Sequence, residues 1–191
     1  METAKFEELK SYYNDLKQNS NKGDLFYNTD RVHNSLVMSN ILDESKEVKM
    51  YCGEFSLFRK EFKKKVDDVF TLEQLHEFSP IEILYQSLKK YLLEGKNIYV
   101  IIEDNADTLS NEPVFQNIIK PYISKNIFFY LIDSNYKATY HFTVGDKDKY
   151  RRETGLESHS AICSMKDSLS AKIMLNQYDI LLNNSTLLYN N

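Results

Sequence analysis

A histidine, an acid and a pair of arginines lie close together in residues 138–153. His141 falls on the polar face of a predicted strand, and Asp148, Arg151 and Arg152 follow it after a short polar turn. Guanidinium groups suit phosphate because they donate hydrogen bonds in a planar fork. An imidazole beside such groups is a combination in which phosphate chemistry could occur. The alternative is a polar strand residue that has no part in a site.

Arginine is scarce in this chain, so each position is informative. It occurs only at Arg31, Arg59, Arg151 and Arg152. These four side chains are candidates for one anion-binding pocket, and the alternative is a set of separate ion pairs on the surface.

The bulk composition indicates a soluble globular protein with a local rather than a global site for anions. The 191 residues are 42% hydrophobic and 27% charged, with a formal net charge of −4. A net acidic chain has no overall basic field to attract nucleic acid. The lysines at positions 60–65 could form a basic stripe, but a solvated helix face explains them equally simply.

Other residue types give weaker indications. Glu103, Asp104 and Asp133 follow two buried strands, where paired acids could hold Mg²⁺ or act as ordinary loop acids. Cys52 and Cys163 have no metal-ligand spacing and are expected to be reduced and buried. No cofactor and no metal are predicted.

The beginning of the chain carries acids where a secretory signal would need basic and then apolar residues. No apolar run approaches the roughly 20 residues that cross a bilayer. We therefore expect a cytoplasmic protein with no membrane partner.

Helical and strand periodicities alternate along the chain. Helices are predicted at 4–18, 30–42, 57–70, 79–93 and 113–119 and after the cap Asp167, and strands at 48–52, 97–102, 126–132, 138–144, 149–153 and 160–165. The first three strands alternate with helices and should be parallel, whereas the later, closely spaced strands should be antiparallel. The prediction is an α/β fold with a mixed sheet flanked by helices. We divide it into an N-terminal helix and linker over 1–24 and one α/β domain over 25–191.

This order of elements, over residues 30–185, resembles one repeat of the phospholipase D-like fold. The signature of that family is H-x-K-x4-D on a strand. His141 matches the histidine, Asp148 falls at the aspartate spacing, and Thr143 stands where the family has lysine. Glu153, the strand at 160–164 and the closing helix follow in the family's order.

The resemblance implies a phosphodiesterase chemistry. In the family a histidine attacks phosphorus, an aspartate orients the imidazole, and the lysine stabilises negative charge in the transition state. Two such histidines are needed, so a single repeat would act as a homodimer. Loss of the lysine typically costs roughly a hundredfold in rate. Arg151 or Arg152 could replace it only if the next strand places one of them beside His141.

Three functional hypotheses follow from these observations. The first is a degenerate, non-catalytic phospholipase D-like module that binds a phosphate-bearing ligand, including nucleic acid, or regulates a partner. The second is an active phosphodiesterase or nuclease that works as a homodimer through His141. The third is an interaction subunit of a larger bacterial system, in which the helix at 4–18 binds a protein partner.

Overall fold

Three parallel strands form the centre of the sheet in the computed structural model, which describes residues 1–103, 110–154 and 160–189. β2 (Glu47–Cys52) pairs in parallel with β3 (Asn97–Ile102), which pairs in parallel with β4 (Ile127–Ile132). Strands buried on both faces are rich in apolar residues, and the run Ile98 to Ile102 has this composition. The predicted parallel layer is confirmed.

Antiparallel strands extend this centre on both sides. The remaining strands are β1 (Leu25–Asn28), β5 (Phe142–Gly145), β6 (Lys149–Glu153), β7 (Ala161–Ser164) and β8 (Ser185–Leu187). The order across the eight-stranded sheet is β1-β7-β6-β5-β2-β3-β4-β8. β5 pairs antiparallel with both β2 and β6, so the β5–β6 hairpin joins the parallel layer directly.

Helices cover both faces of the sheet. They are α1 (Thr3–Gln18), α2 (Arg31–Glu44), α3 (Lys60–Asp67), α4 (Leu72–Glu77), α5 (Pro80–Leu93) and α6 (Ser168–Asn183). α1, α2, α3 and α5 share one hydrophobic core with one face of the sheet. α6 packs alone on the other face, where its buried residues meet Tyr51, Phe142 and Val144. The mixed α/β class predicted from the sequence is confirmed.

The N-terminal helix α1 packs into the main core. Phe6, Leu9, Tyr13 and Leu16 recur on one side of the helix and are all buried. Because its apolar face is covered by the rest of the chain, α1 does not offer that face to a protein partner in this conformation. The boundary between residues 24 and 25 as a domain limit stays a prediction.

The helix predicted over 57–70 is interrupted. Residues 56–58 form a single 3-10 turn, Arg59 is extended, and α3 begins only at Lys60. The turn starts from Phe55, whose φ of 55° lies in the left-handed region. After α3, Thr71 and Gln74 form a reciprocal capping box that begins α4, a helix that the periodicity did not predict.

The strand predicted over 138–144 is shorter than expected. It begins at Phe142, and His141 lies just before it. Two edge strands, β1 and β8, were not predicted, and each has only a few residues. The helix predicted over 113–119 is present, with a π-helical turn at Phe115–Ile119. Among the described residues, no helix has the length and apolar character needed to cross a membrane.

Candidate anion-binding site

His141 lies between two carboxylates, at the end of the β5–β6 pair that is opposite the hairpin turn. The backbone N–H of Glu153 donates to the His141 carbonyl over 2.9 Å, which continues the β5–β6 pairing beyond the strand. This pairing brings Glu153 Oε2 to 2.9 Å from His141 Nδ1. On the other side of the ring, Nε2 lies 3.4 Å from Oε1 of Glu103, which directly follows β3. The imidazole is therefore held in one orientation by acids from two elements.

The two acids decide the protonation of this histidine. Burial disfavours the imidazolium, but the hydrogen bond to Glu153 and the charges of Glu153 and Glu103 outweigh it and raise the pKa of His141. Burial likewise opposes ionisation of Glu153, yet the contact with His141 and the Arg151 charge lower the pKa of Glu153. Each member of this pair thus favours the charged form of the other.

Arg151 extends this pair into a buried network. It lies opposite Thr143 across the β5–β6 hairpin, and its side chain is only 5% exposed. Both of its terminal nitrogens lie 3.3 Å from Glu153 Oε1. Its Nε has no hydrogen-bond partner among the described residues. Burial lowers the pKa of Arg151, and the Glu153 charge opposes that shift.

Tyr51 fixes the position of the Glu103 carboxylate through a hydrogen bond. The Tyr51 hydroxyl, on β2, donates to Glu103 Oε1 and accepts the backbone N–H of Ala138 over 2.9 Å. Lys137 Nζ lies 3.7 Å from the second Glu103 oxygen. One buried hydroxyl therefore ties the carboxylate that faces His141 to the segment that leads into β5.

Two adjoining cavities open beside this network. The first has a volume of about 220 Å³ and is lined by His141, Gly53 and apolar residues of β2 and the following turn. The second has a volume of about 310 Å³, and Arg31, Arg59, Lys65 and Arg151 line it. Arg151, Glu153, Glu54, Asn34 and Ser56 line both. The second cavity therefore gathers basic side chains from α2, the turn before α3, α3 itself and β6.

Comparison with solved structures identifies the fold. Nuc from Salmonella typhimurium, a phospholipase D family member, superposes with a TM-score of 0.53 at 13% identity, over 87% of this chain and 97% of Nuc. The chain has a phospholipase D-like fold. The archaeal chromatin protein TrmBL2 is similar with a TM-score of 0.58 at 10% identity, over 95% of this chain. This chain spans 62% of the length of TrmBL2.

Sequence comparison does not extend this result. No family model matches the chain, and no curated protein matches it significantly. At these low identities the phospholipase D-like fold is what the structural likeness establishes, and the residues must be interpreted from their own geometry.

Within the phospholipase D-like fold, three of the four predicted anion-binding arginines share one cavity. Arg31, Arg59 and Arg151 line it together. Arg152 does not, because neighbouring residues on a strand point to opposite faces. Its guanidinium carbon lies 5.4 Å from the centre of the Tyr140 ring on the α6 side of the sheet. Of the two arginines left open by the sequence, Arg151 is the one on the His141 side.

Asp148 lies far from its predicted partner. The hairpin register pairs Gly145 with Lys149, which puts Asp148 in the turn, at the opposite end of the strands from His141. There it contacts Lys149 over 3.0 Å. The structure therefore does not bring Asp148 to the imidazole, and Glu153 has the orienting position instead. The signal that could have found Glu153 is its spacing of two residues from Arg151, which puts both on one face of a strand.

The remaining candidates are dispersed. Asp133 accepts the N–H of Asn135 and begins a short 3-10 turn, while Asp104 lies outside the described residues. No cluster of metal-ligating side chains occurs within residues 1–103, 110–154 and 160–189. Lys63 contacts Asp67 and Glu82, as expected for a solvated helix face. Asn34, which lines both cavities, carried no distinctive pattern in the sequence, and Lys65, which lines the second, belongs to the lysine run at 60–65.

Proposed function

We propose that this chain is a non-catalytic phospholipase D-like module that binds a phosphate-bearing ligand in the cavity beside His141. The observation that carries the proposal is the convergence of Arg31, Arg59, Lys65 and Arg151 on one cavity. Four basic side chains face three acidic ones there, in a chain whose overall charge is negative. Arg59 lies 3.3 Å from Glu54 and Arg151 lies 3.3 Å from Glu153, so the cavity keeps an excess of one basic side chain over the acidic ones, and this excess attracts anions.

The surroundings of His141 favour binding over catalysis. Because Nδ1 of His141 is bound to Glu153, a nucleophilic imidazole would have to present Nε2 to phosphorus, but that nitrogen lies 3.4 Å from the Glu103 carboxylate. A carboxylate at this point repels the oxygens of an incoming phosphate. Thr143, in the position of the family lysine, has no charge to stabilise a transition state. Arg151 is the nearest substitute, yet its terminal nitrogens already bind Glu153.

The similarity to TrmBL2 agrees with a binding role. That protein binds DNA as a chromatin component, and the shared fold covers most of this chain. A protein that shares this fold over 62% of its length therefore binds DNA, a polymer of phosphodiesters. For this chain the ligand class rests on the cavity, because a likeness at 10% identity transfers no binding residues.

Titration with inorganic phosphate tests the proposal. Isothermal calorimetry should detect binding to the wild-type chain, and Arg59→Gln should weaken it about tenfold, as expected for the loss of one charge-assisted contact. Arg152→Gln is the matched control, because Arg152 lies on the opposite face, and it should bind phosphate like the wild type. Equal affinities in all three proteins would contradict the proposal.

One observation favours a second function, an active homodimeric phosphodiesterase. The 2.9 Å contact between His141 Nδ1 and Glu153 is the arrangement that orients an imidazole for nucleophilic attack. Hydrolysis of bis(4-nitrophenyl) phosphate, measured with and without a chelator, tests this function. Activity that His141→Ala abolishes and Glu103→Gln increases, in a protein that sediments as a dimer, would establish it and remove the non-catalytic proposal.

A further inference from the structure

The two cavities beside His141 are compartments of one site. Three residues line both of them: Asn34 on α2, Ser56 in the turn after β2, and Arg151 on β6. Their volumes, about 220 and 310 Å³, together fall within the roughly 300–1,000 Å³ of small-molecule sites. A ligand that entered one compartment would therefore contact the wall of the other.

The compartments differ in chemistry. Arg31, Arg59 and Lys65 line only the larger one. Met50, Phe55 and Leu57 line only the smaller one, together with the backbone of Gly53. A phosphate group suits the first environment, and an uncharged organic group with apolar surface suits the second. The division predicts a ligand with one anionic end and one larger apolar end.

Asn34 marks the junction between the two environments. Its Oδ1 is inaccessible to solvent and has no hydrogen-bond partner among the described residues. A buried acceptor without a donor costs free energy that a ligand can recover. Arg151 and Ser56 supply donors at this junction, and Glu54 and Glu153, which also line both compartments, supply further acceptors. A ligand with a hydroxyl or amino group next to its phosphate would satisfy them.

The charge of the surface decides between a small ligand and a nucleic acid strand. The cavity holds basic side chains for one phosphate group, and the chain as a whole carries −4. On α3, Lys63 lies within 4 Å of both Asp67 and Glu82, and Lys60 lies 3.9 Å from Glu61. These pairs reduce the basic character of the helix beside the cavity. The pairs therefore leave fewer lysines of α3 to meet the successive phosphates of a polymer.

We propose that one small phosphate ester fills both compartments, with its phosphate among the basic side chains of the larger one and its organic part in the smaller one. The organic part is of nucleoside size and presents a hydrogen-bond donor to Asn34. This inference rests on the proposed function, since it specifies the ligand of the same cavity. Leu57 and Asn34 become specificity-determining residues, whereas Lys65 contributes to the affinity for any phosphate.

Calorimetry with three probes at one ionic strength tests this ligand class. The probes are inorganic phosphate, ribose 5-phosphate and adenosine 5′-monophosphate. The wild-type chain should bind the nucleotide at least about tenfold more tightly than inorganic phosphate, with ribose 5-phosphate between them. Leu57→Ala should weaken the nucleotide about fivefold and leave inorganic phosphate unchanged, because Leu57 lines only the apolar compartment.

Two further variants complete the design. Lys65→Ala should weaken all three probes by a similar factor, and Asn34→Ala should reduce the preference for ribose 5-phosphate over inorganic phosphate. Equal affinity for all probes, with no effect of Leu57→Ala or Asn34→Ala, would overturn the small-ester inference and leave phosphate binding intact. No binding of inorganic phosphate, or binding that Lys65→Ala does not alter, would contradict the proposed function itself.

A single-stranded oligonucleotide tests the remaining alternative, in which the ligand is nucleic acid. If a 20-nucleotide strand binds more tightly than the mononucleotide, and its affinity falls with salt as expected for several released ions, the ligand is nucleic acid and the small-ester inference fails. If instead the salt dependence corresponds to the release of about one ion, and the strand binds no more tightly than the mononucleotide, the small-ester inference is supported.

Discussion

Arg151 and Thr143 lie directly opposite one another in the antiparallel pairing of β5 and β6. Thr143 occupies the position at which a phospholipase D-like signature has lysine. The only positive charge at this level of the hairpin that faces the His141 side therefore comes from the neighbouring strand. Its guanidinium group binds Glu153, which also binds His141. The positive charge at this level of the hairpin thus belongs to a structural network that includes His141.

Removal of Arg151 should destabilise the protein strongly. Arg151→Met would leave the largely buried Glu153 carboxylate without one of its two cationic partners, at a cost of about 3–5 kcal/mol in unfolding free energy. Arg152→Met, on the opposite face, should cost far less. Urea denaturation of both variants measures the difference.

A double variant distinguishes the charge from the packing. Arg151→Met combined with Glu153→Gln should lose less than the sum of the two single changes, by about 1–3 kcal/mol, because no unpaired charge remains. Strict additivity in this cycle would show that the Arg151–Glu153 contact is not a coupled interaction.

The raised pKa of His141 should make stability depend on pH. A group that binds its proton more tightly when folded stabilises the protein fully below its unfolded pKa, about 6.5 for histidine. That contribution is lost as the pH rises through the higher folded pKa. The unfolding free energy of the wild type should therefore fall with increasing pH above about 6.5, and His141→Gln should remove this component.

The exposed His76 provides the control for this experiment. His76→Gln replaces a surface imidazole in the same way, and the imidazole resonances of His141 should report a pKa above the ordinary value for histidine. A His141→Gln variant whose stability varies with pH as the wild type's does would show that the imidazole is not held by Glu153 and Glu103.

The central sheet could be predicted because its signals are local. The apolar run of β3 and the Ser79–Pro80 start of α5 each carry their structure in a few neighbouring residues. β1 and β8 carry no such signal. Each has three or four residues with mixed polarity, and each forms because a neighbouring edge accepts it.

The site could be predicted only in part, for a related reason. The sequence indicated His141 and a set of arginines, but it left Arg151 and Arg152 as alternatives. Only the register of the hairpin decides which of them faces His141. The same register separates Asp148 from the imidazole, so a match in spacing did not become a contact. Asn34 and Lys65 reach the cavity through the packing of α2 and α3, which no local pattern specifies.

Gly145 is required by the close approach of α2 to β5. A Cβ atom at this position would clash with Ser45 Oγ and lie 2.9 Å from Ile41 Cγ2. Gly145→Ala should therefore destabilise the protein by about 1–3 kcal/mol, as overpacking does. Gly53→Ala is the comparison, because its Cβ would lie 3.3 Å from the His141 ring. Gly53→Ala should cost less stability than Gly145→Ala but should shift the His141 resonances. Chemical denaturation compares the two losses of stability, and NMR records the resonances. A larger loss for Gly53→Ala would contradict the prediction.

The Tyr51 hydroxyl should control the segment that leads into His141. It accepts the N–H of Ala138 while it donates to Glu103, and the Tyr51 side chain is fully buried. Tyr51→Phe removes this acceptor and should cost about 1–2 kcal/mol, since one buried donor loses its partner. Hydrogen exchange of the Ala138 amide should accelerate, whereas the Glu153 amide, which donates to the His141 carbonyl, should keep its protection. Because Phe retains the ring packing, equal acceleration at both amides would indicate general loosening of the hairpin and would contradict a specific role for the hydroxyl.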